Sequence, residues 1–351
     1  MGLFDNMLGS GESLIKNEEA LDFEFLPKIL PFREKEQRFI AECIKPLFQN
    51  RNGRNVVMYG PPGIGKTAAA RHVVRELEEQ TDDIYPIYIN CWQNNTSYKV
   101  MVEICEHLGY RLIQNKKTVD LYKVVASIIN KKTAAFIFDE IDKAEEYDFL
   151  YFILEDIYKK SIVVITNFKE WVVTLDSRIK SRLMAEMLEF KQYNEHETKE
   201  ILKQRAGYAF PPGVWEDPAF ARVAKKTYEI RDLRTGLFLM RESALIAEEQ
   251  SRKKITLADV EKAIAKLENF NIKNSNELAE DVKFILSIVK EHSGKKIGDL
   301  YKVYQEKGGK HTYKTFQRKI EELDKSSFIS TKKQKGTGGN TTIVEKKLTD
   351  F

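Results

Sequence analysis

The chain has three cysteines in 351 residues, Cys43, Cys91 and Cys105, and no two form a CxxC pair. That argues against a disulfide framework and a zinc site, and it points to a reducing, cytosolic compartment. Its five histidines, His72, His107, His196, His292 and His311, are too dispersed for a metal cluster. No apolar run approaches the roughly 18 residues a membrane helix needs. The opening MGLFDNMLGSGESL lacks the basic and apolar regions of a signal peptide and reads as a flexible tail over 1–20. No internal repeat is visible, so a solenoid or propeller is not expected.

What is present is apolar residue for real cores, 42%, and abundant charge, 31%. The length allows two or three domains. The net charge of +4 is unevenly spread. From residue 276 onward there are 16 Lys and Arg against 11 Asp and Glu, a balance of +5; the remainder is close to neutral. A basic terminal module fits a polyanionic partner as well as a solvated basic surface.

The strongest motif lies in NVVMYGPPGIGKTAAARHVVREL, residues 55–77. An apolar β-run ends at Tyr59, and an amphipathic helix follows. Between them stand Gly60, Pro61, Pro62, Gly63, Ile64, Gly65, Lys66, Thr67 and Ala68. This is GxxxxGK[ST] in its strand–loop–helix context. The glycines let backbone N–H groups turn inward around phosphate oxygens, and the helix N-terminus adds its dipole. Lys66 is expected on the β- and γ-phosphates of ATP or ADP, and Thr67 on Mg²⁺.

A second buried run, AAFIFDEID at 134–142, ends in acid. Asp139 is expected to hold Mg²⁺ through water, and Glu140 to polarise the attacking water. A third run, SIVVITN at 161–167, ends in Asn167, whose amide suits orienting the lytic water against the γ-phosphate. In LDSRIKSRL, 175–183, Arg178 and Arg182 share a helix face. Such arginines serve as fingers on a neighbour's nucleotide, contact DNA, or form a plain basic surface. In RDLRTGL, Arg234 is the expected contact from the lid to the γ-phosphate, with Arg231 and Arg241 as competitors.

Strands near 55–59, 84–91, 134–139, 161–166 and 185–190 alternate with helices, which predicts a mostly parallel α/β sheet. The expected organisation is a nucleotide-binding domain at 21–193, a helical lid at 194–270, a polar linker at 271–277 and a C-terminal module at 276–351. TLADVEKAIAKLE, 256–268, opens with a Thr256 cap and an acid three residues on. In the C-terminal module, helices are expected near 278–292, 297–307 and 312–324. The third leaves Lys314, Gln317 and Arg318 facing outward. Runs at 328–331 and 342–348 are expected to pair as a hairpin with 332–341 as its tip. Lys332, Lys333 and Lys335 would meet phosphates there. Gly336, Gly338 and Gly339 would permit close approach, and Thr337, Asn340 and Thr341 would hydrogen-bond. Three helices and such a hairpin make a winged helix, which binds DNA or protein.

LPKILPFREKE (26–36), GPPGIGKT, FDEID, ITN, LDSRIKSRL, RDLRTGL and the terminal module occur in the order that resembles archaeal replication initiators related to the origin recognition complex and its helicase-loading partner. The resemblance runs from about residue 15 onward. It implies an AAA+ ATPase with a winged helix that binds origin duplex DNA under ATP control. It implies slow hydrolysis as a switch, recruitment of the MCM helicase and a possible second initiator subunit. It also implies that Leu30, Pro31, Phe32 and Arg33 line the adenine pocket. The family's usual pattern has His at Phe32, Asp at Phe168 and GDAR in place of RDLR. Two other readings stay open. One is a diverged paralogue acting as a regulator; the other is a clamp-loader or transposition-type motor.

Overall fold

The computed structural model describes residues 13–276, 280–325, 329–336 and 339–346. The chain divides into two compact units. One comprises Lys16–Phe210 and Arg231–Phe238; the other comprises Met1–Ile15, Pro211–Ile230 and Leu239–Phe351.

The first unit is built on five strands: β1 (Val56–Tyr59), β2 (Ile84–Asn90), β3 (Thr133–Asp139), β4 (Lys160–Thr166) and β5 (Glu186–Glu189). Their order is β2-β3-β4-β1-β5, and every pairing is parallel. All five expected strands are therefore present. All seven residues of β3 are buried, as an interior parallel strand requires. The pleat sends Phe136 and Phe138 to one face with Val57, Ile87 and Val164. Ala135 and Ile137 go to the other with Met58, Val163 and Ile165. Helices cover both faces, so each β3 side chain adds to a core. Cutting Phe138 back to alanine would cost about 3–5 kcal/mol.

The carboxyl ends of β1, β3 and β4 carry Tyr59, Asp139 and Thr166, so the three motifs that follow them meet at one edge of the sheet. The expected lid is split between the units. Helix Glu195–Ala209 belongs with the sheet, because Ile201 is part of the core under β1 and β4.

Residues 13–20 are not a loose tail. Ser13 Oγ donates to Glu248 Oε1 (2.8 Å), as does the Leu14 N–H (2.6 Å), and Leu14 is buried. Lys16 N–H donates to the Ala209 carbonyl (2.8 Å), and Ala20 is fully buried. Short apolar side chains among the polar ones fix this segment; residues 1–12 lie outside the described residues.

In the second unit, helices Asp217–Ile230 and Leu257–Asn276 pair through Arg222–Glu261 (2.7 Å) and Lys226–Glu268 (2.9 Å). The expected Thr256 cap takes a specific form: its N–H and Oγ1 both donate to Asp259 Oδ2, at 2.9 and 2.8 Å. The linker reading of 271–276 is overturned. Helix Leu257–Asn276 runs through it, since NIKNSN contains neither proline nor glycine to stop a helix already nucleated.

The C-terminal module has helices Glu280–Glu291, Ile297–Glu306 and Tyr313–Lys325. Three antiparallel strands follow the order β6 (Lys295–Lys296), β8 (Gly339–Lys346), β7 (Ile329–Gly336). Ile285, Val289, Leu300, Tyr304, Phe316, Ile320, Ile329 and Val344 form one core. Gly309 is required: a Cβ there would sit 2.3 Å from the Tyr304 ring. The hairpin is longer than expected. Pairing continues to Gly336↔Gly339, so Lys332, Lys333, Lys335 and Asn340 occupy strand positions and not a tip loop. Cross-strand pairing satisfies backbone groups that a ten-residue loop would leave to water. Thr337 and Gly338 lie outside the described residues. Among the described residues no helix is long and apolar enough to cross a membrane.

Candidate nucleotide site

The loop after β1 turns on glycines with positive φ: Gly60 (148°), Gly63 (73°) and Gly65 (87°). Gly63 has a second constraint, since a Cβ would meet Asp232 Oδ1 at 2.2 Å. Gly65 precedes helix Lys66–Gln80 as its N-cap. Lys66 is buried and folds back over the loop. Its Nζ donates to the carbonyls of Gly60 and Pro61, each at 2.7 Å, and to Asn167 Oδ1 at 2.8 Å. The expected Lys66 and Asn167 are thus in direct contact. Burial lowers the Lys66 pKa to about 8, against the opposing pull of Asp139 and Asp142.

Asp139 closes β3 and is 2% exposed. Its Oδ1 accepts the Glu140 N–H (2.8 Å) and its Oδ2 accepts the Tyr88 hydroxyl (2.7 Å). Burial, then the charge of Asp139, raises the Tyr88 pKa. Glu140 has φ 51°, a left-handed conformation that costs a non-glycine residue energy and turns the chain sharply off the sheet. Burial chiefly raises its pKa, with Asp139 and Asp142 adding to the rise. Thr166 Oγ1 donates to Asp142 Oδ1 at 3.0 Å, tying the end of β4 to the turn that follows β3.

A cleft of about 280 Å³ opens beside these strand ends. The phosphate loop, the strand ends and the helix after Arg231 contribute Pro62, Gly63, Gly65, Lys66, Thr67, Ala68, Asp139, Glu140, Asn167 and Arg234 to its lining. Phe23, Phe25, Leu30, Pro31, Ile201, Leu202 and Leu237 contribute apolar surface. Arg234 is held by Asp232, Nη2 to Oδ2 at 2.7 Å, which raises its pKa. Arg231 is not among the lining residues.

The segment before the first helix, which contributes Phe23, Phe25, Pro27, Leu30 and Pro31 to the lining, is held by side chains. Arg205 donates to the carbonyls of Phe25 (2.8 Å) and Asp22 (2.5 Å), and Gln204 donates to that of Ile29 (3.1 Å). His72 Nε2 lies 2.9 Å from the Lys28 carbonyl. Leu30 and Pro31 line the cleft, but Phe32, Arg33, Gly60, Pro61 and Ile64 are not among the lining residues. Arg33 is 4% exposed and braces the loop from behind. It donates to Ile64 O (3.0 Å), Lys191 O (2.6 Å) and Tyr193 Oη (2.9 Å), pairs with Glu36 (2.9 Å), and stacks 4.0 Å over the Tyr193 ring.

Arg178 and Arg182 share helix Ser177–Leu183 and lie over the Tyr151 ring at 5.5 and 5.2 Å. Arg178 pairs with Asp176 (3.0 Å) and Arg182 with Glu155; neither lines this cleft. In the C-terminal module Lys314 and Arg318 are exposed and Gln317 is half-buried on helix Tyr313–Lys325.

The residues fit a nucleotide with a hard cation. Backbone N–H groups, a lysine and a helix N-terminus suit phosphates. Thr67 and Asp139 would supply the one or two oxygen ligands that Mg²⁺ takes when phosphates and water complete its shell. Among the described residues no group of three or more His, Cys, Asp and Glu could hold a metal by protein alone. Sequence reading missed Tyr88, Asp232, Arg205 and Tyr193, whose roles come from strand register and long-range packing.

Residues 49–167 match the family described as AAA domain, and residues 199–265 match the Cdc6 AAA+ ATPase-type lid domain. The ORC1-type DNA replication protein 1 of Archaeoglobus fulgidus is 32% identical over 94% of this chain and 87% of that protein. The Aeropyrum pernix ORC1 protein, solved in complex with DNA, superposes with a TM-score of 0.70 at 28% identity, covering 96% of this chain and 94% of that one. The ORC2 protein of Aeropyrum pernix, solved in ADPNP–ADP complexes, gives a TM-score of 0.73 at 16% identity over 96% and 95% of the two chains, a likeness of fold.

Proposed function

The chain belongs to the archaeal ORC1/Cdc6-type family of AAA+ replication initiators, and on that premise we propose that it binds duplex DNA at origin-like sites under the control of ATP. Its output is binding, with slow hydrolysis resetting the state and the MCM helicase as the partner recruited. The observation that carries this reading is the convergence of Lys66, Thr67, Asp139, Glu140, Asn167 and Arg234 on one cleft. Lys66 neutralises the phosphates, Thr67 and Asp139 hold Mg²⁺, and Glu140 polarises the attacking water. Asn167 and Arg234 sense the γ-phosphate; Asn167 leaves Lys66 when phosphate arrives. Mg²⁺ supplies charge neutralisation at the phosphates. The apolar side chains of the cleft take the base.

The C-terminal module reads as a winged helix. Lys314, Gln317 and Arg318 on its third helix and Lys332, Lys333 and Lys335 in its hairpin are the DNA contacts we assign. Support comes from the excess positive charge there and from the DNA-bound relative. Arg178 and Arg182 lie away from the chain's own cleft, which suits a finger for a second initiator subunit.

The test uses Glu140→Gln. The variant should bind ATP with wild-type affinity and lose about 100-fold or more in turnover. Its duplex-DNA affinity in ATP should match the wild type before hydrolysis and should not decay with time. Undiminished hydrolysis removes Glu140 from its role. Equal DNA affinity in ATP and ADP removes the switch.

A further inference from the structure

The Tyr88 hydroxyl lies 2.7 Å from Asp139 Oδ2, and no motif for phosphate, metal or sensor includes Tyr88. The contact crosses two strands. Tyr88 is paired in register with Ile137, and Asp139 stands two residues further along β3 on the same face. Spanning that step, about 6.6 Å, takes a side chain of tyrosine's length. The Tyr88 ring also lies against helix Lys66–Gln80, with the Arg71 guanidinium 5.8 Å from its centroid.

Asp139 therefore enters the cleft with both oxygens already fixed. Oδ1 accepts from the Glu140 backbone and Oδ2 from Tyr88, so the carboxylate plane is set by donors on both sides. An ionised carboxylate has about four lone-pair sites. One donor on each oxygen leaves room for a metal-bound water. Groups that orient a metal's carboxylate ligand typically change affinity or activity about 10–100-fold when removed.

We propose that Tyr88 is a positioning residue for the divalent cation, acting through Asp139; this rests on reading the cleft as a nucleotide and Mg²⁺ site. The hydroxyl holds the carboxylate in the orientation that receives the cation and its waters. Tyr88 does not itself touch metal or nucleotide.

The experiment uses the full chain, ADP and Mn²⁺ as the spectroscopic probe. Free Mn²⁺ is measured by electron paramagnetic resonance in wild type, Tyr88→Phe, Asp139→Asn and the double variant. ADP affinity is measured separately in EDTA. Tyr88→Phe should weaken Mn²⁺ in the ADP complex about tenfold while ADP affinity in EDTA is unchanged. In the Asp139→Asn background, Tyr88→Phe should have no further effect on Mn²⁺. Unchanged Mn²⁺ affinity in Tyr88→Phe overturns the inference alone. A parallel loss of ADP affinity in EDTA also overturns it, because the hydroxyl then merely supports the fold. If the wild-type chain binds no ADP, the nucleotide reading falls first and this inference with it.

Discussion

Lys66 directs all three of its donors at the protein itself: two loop carbonyls and Asn167. A γ-phosphate must displace at least one of them. Burial lowers its pKa from 10.5 to about 8. Between those values the unfolded chain holds more protons than the folded one, so this group makes stability rise with pH across that window. The cost of burying the ammonium is fully present below about pH 8. Phosphate should restore the charge, so ATP binding at about pH 9 should take up close to one proton. Calorimetry in buffers of different ionisation enthalpy reads this directly; heats independent of buffer contradict it. Arg33 belongs to the same scale. It joins the loop at Ile64 to the strand-end segment at Lys191 and Tyr193. Arg33→Ala leaves those carbonyls unpartnered and should cost about 2–4 kcal/mol. Denaturant unfolding of the nucleotide-free protein measures it, and a loss within about 0.5 kcal/mol would mean the brace is dispensable.

At the scale of elements, the sequence made the sheet readable because buried parallel strands are continuous apolar runs, and β3 is one. Gly60–Thr67, Asp139, Glu140 and Asn167 were readable because each lies at or directly after a strand end. Tyr88 and Arg205 were not, since their partners lie 51 and 180 residues away in the chain. Arg33 carried a base-side reading by resemblance, whereas its packing puts it behind the loop. The hairpin was misjudged for a related reason. Lys and Gly have weak strand signals, and cross-strand pairing decides such cases. With Lys332, Lys333 and Lys335 on a paired strand, their backbone is fixed before DNA arrives. Replacing all three by alanine should lower the slope of log affinity against log salt by about 0.9 for each phosphate that is no longer neutralised. An unchanged slope and affinity would take the hairpin off the DNA.

At the scale of the molecule, two units divide the chain, and each carries one side of the proposed function. The unit containing the sheet holds the entire cleft, including Arg234 from Arg231–Phe238. The other unit contains the basic C-terminal module. The account therefore predicts a protein whose DNA contacts and nucleotide contacts are separable by mutation yet coupled by free energy. The proposed function requires the chain to select origin-like DNA. The most direct measurement is to mix the purified chain, loaded with ATP, with sheared DNA from its own source, wash at physiological salt and sequence what remains. Enrichment at one or a few loci beside replication genes is expected, abolished when residues 328–348 are deleted. Even coverage of the genome would contradict it, since electrostatic attraction alone would then explain the binding.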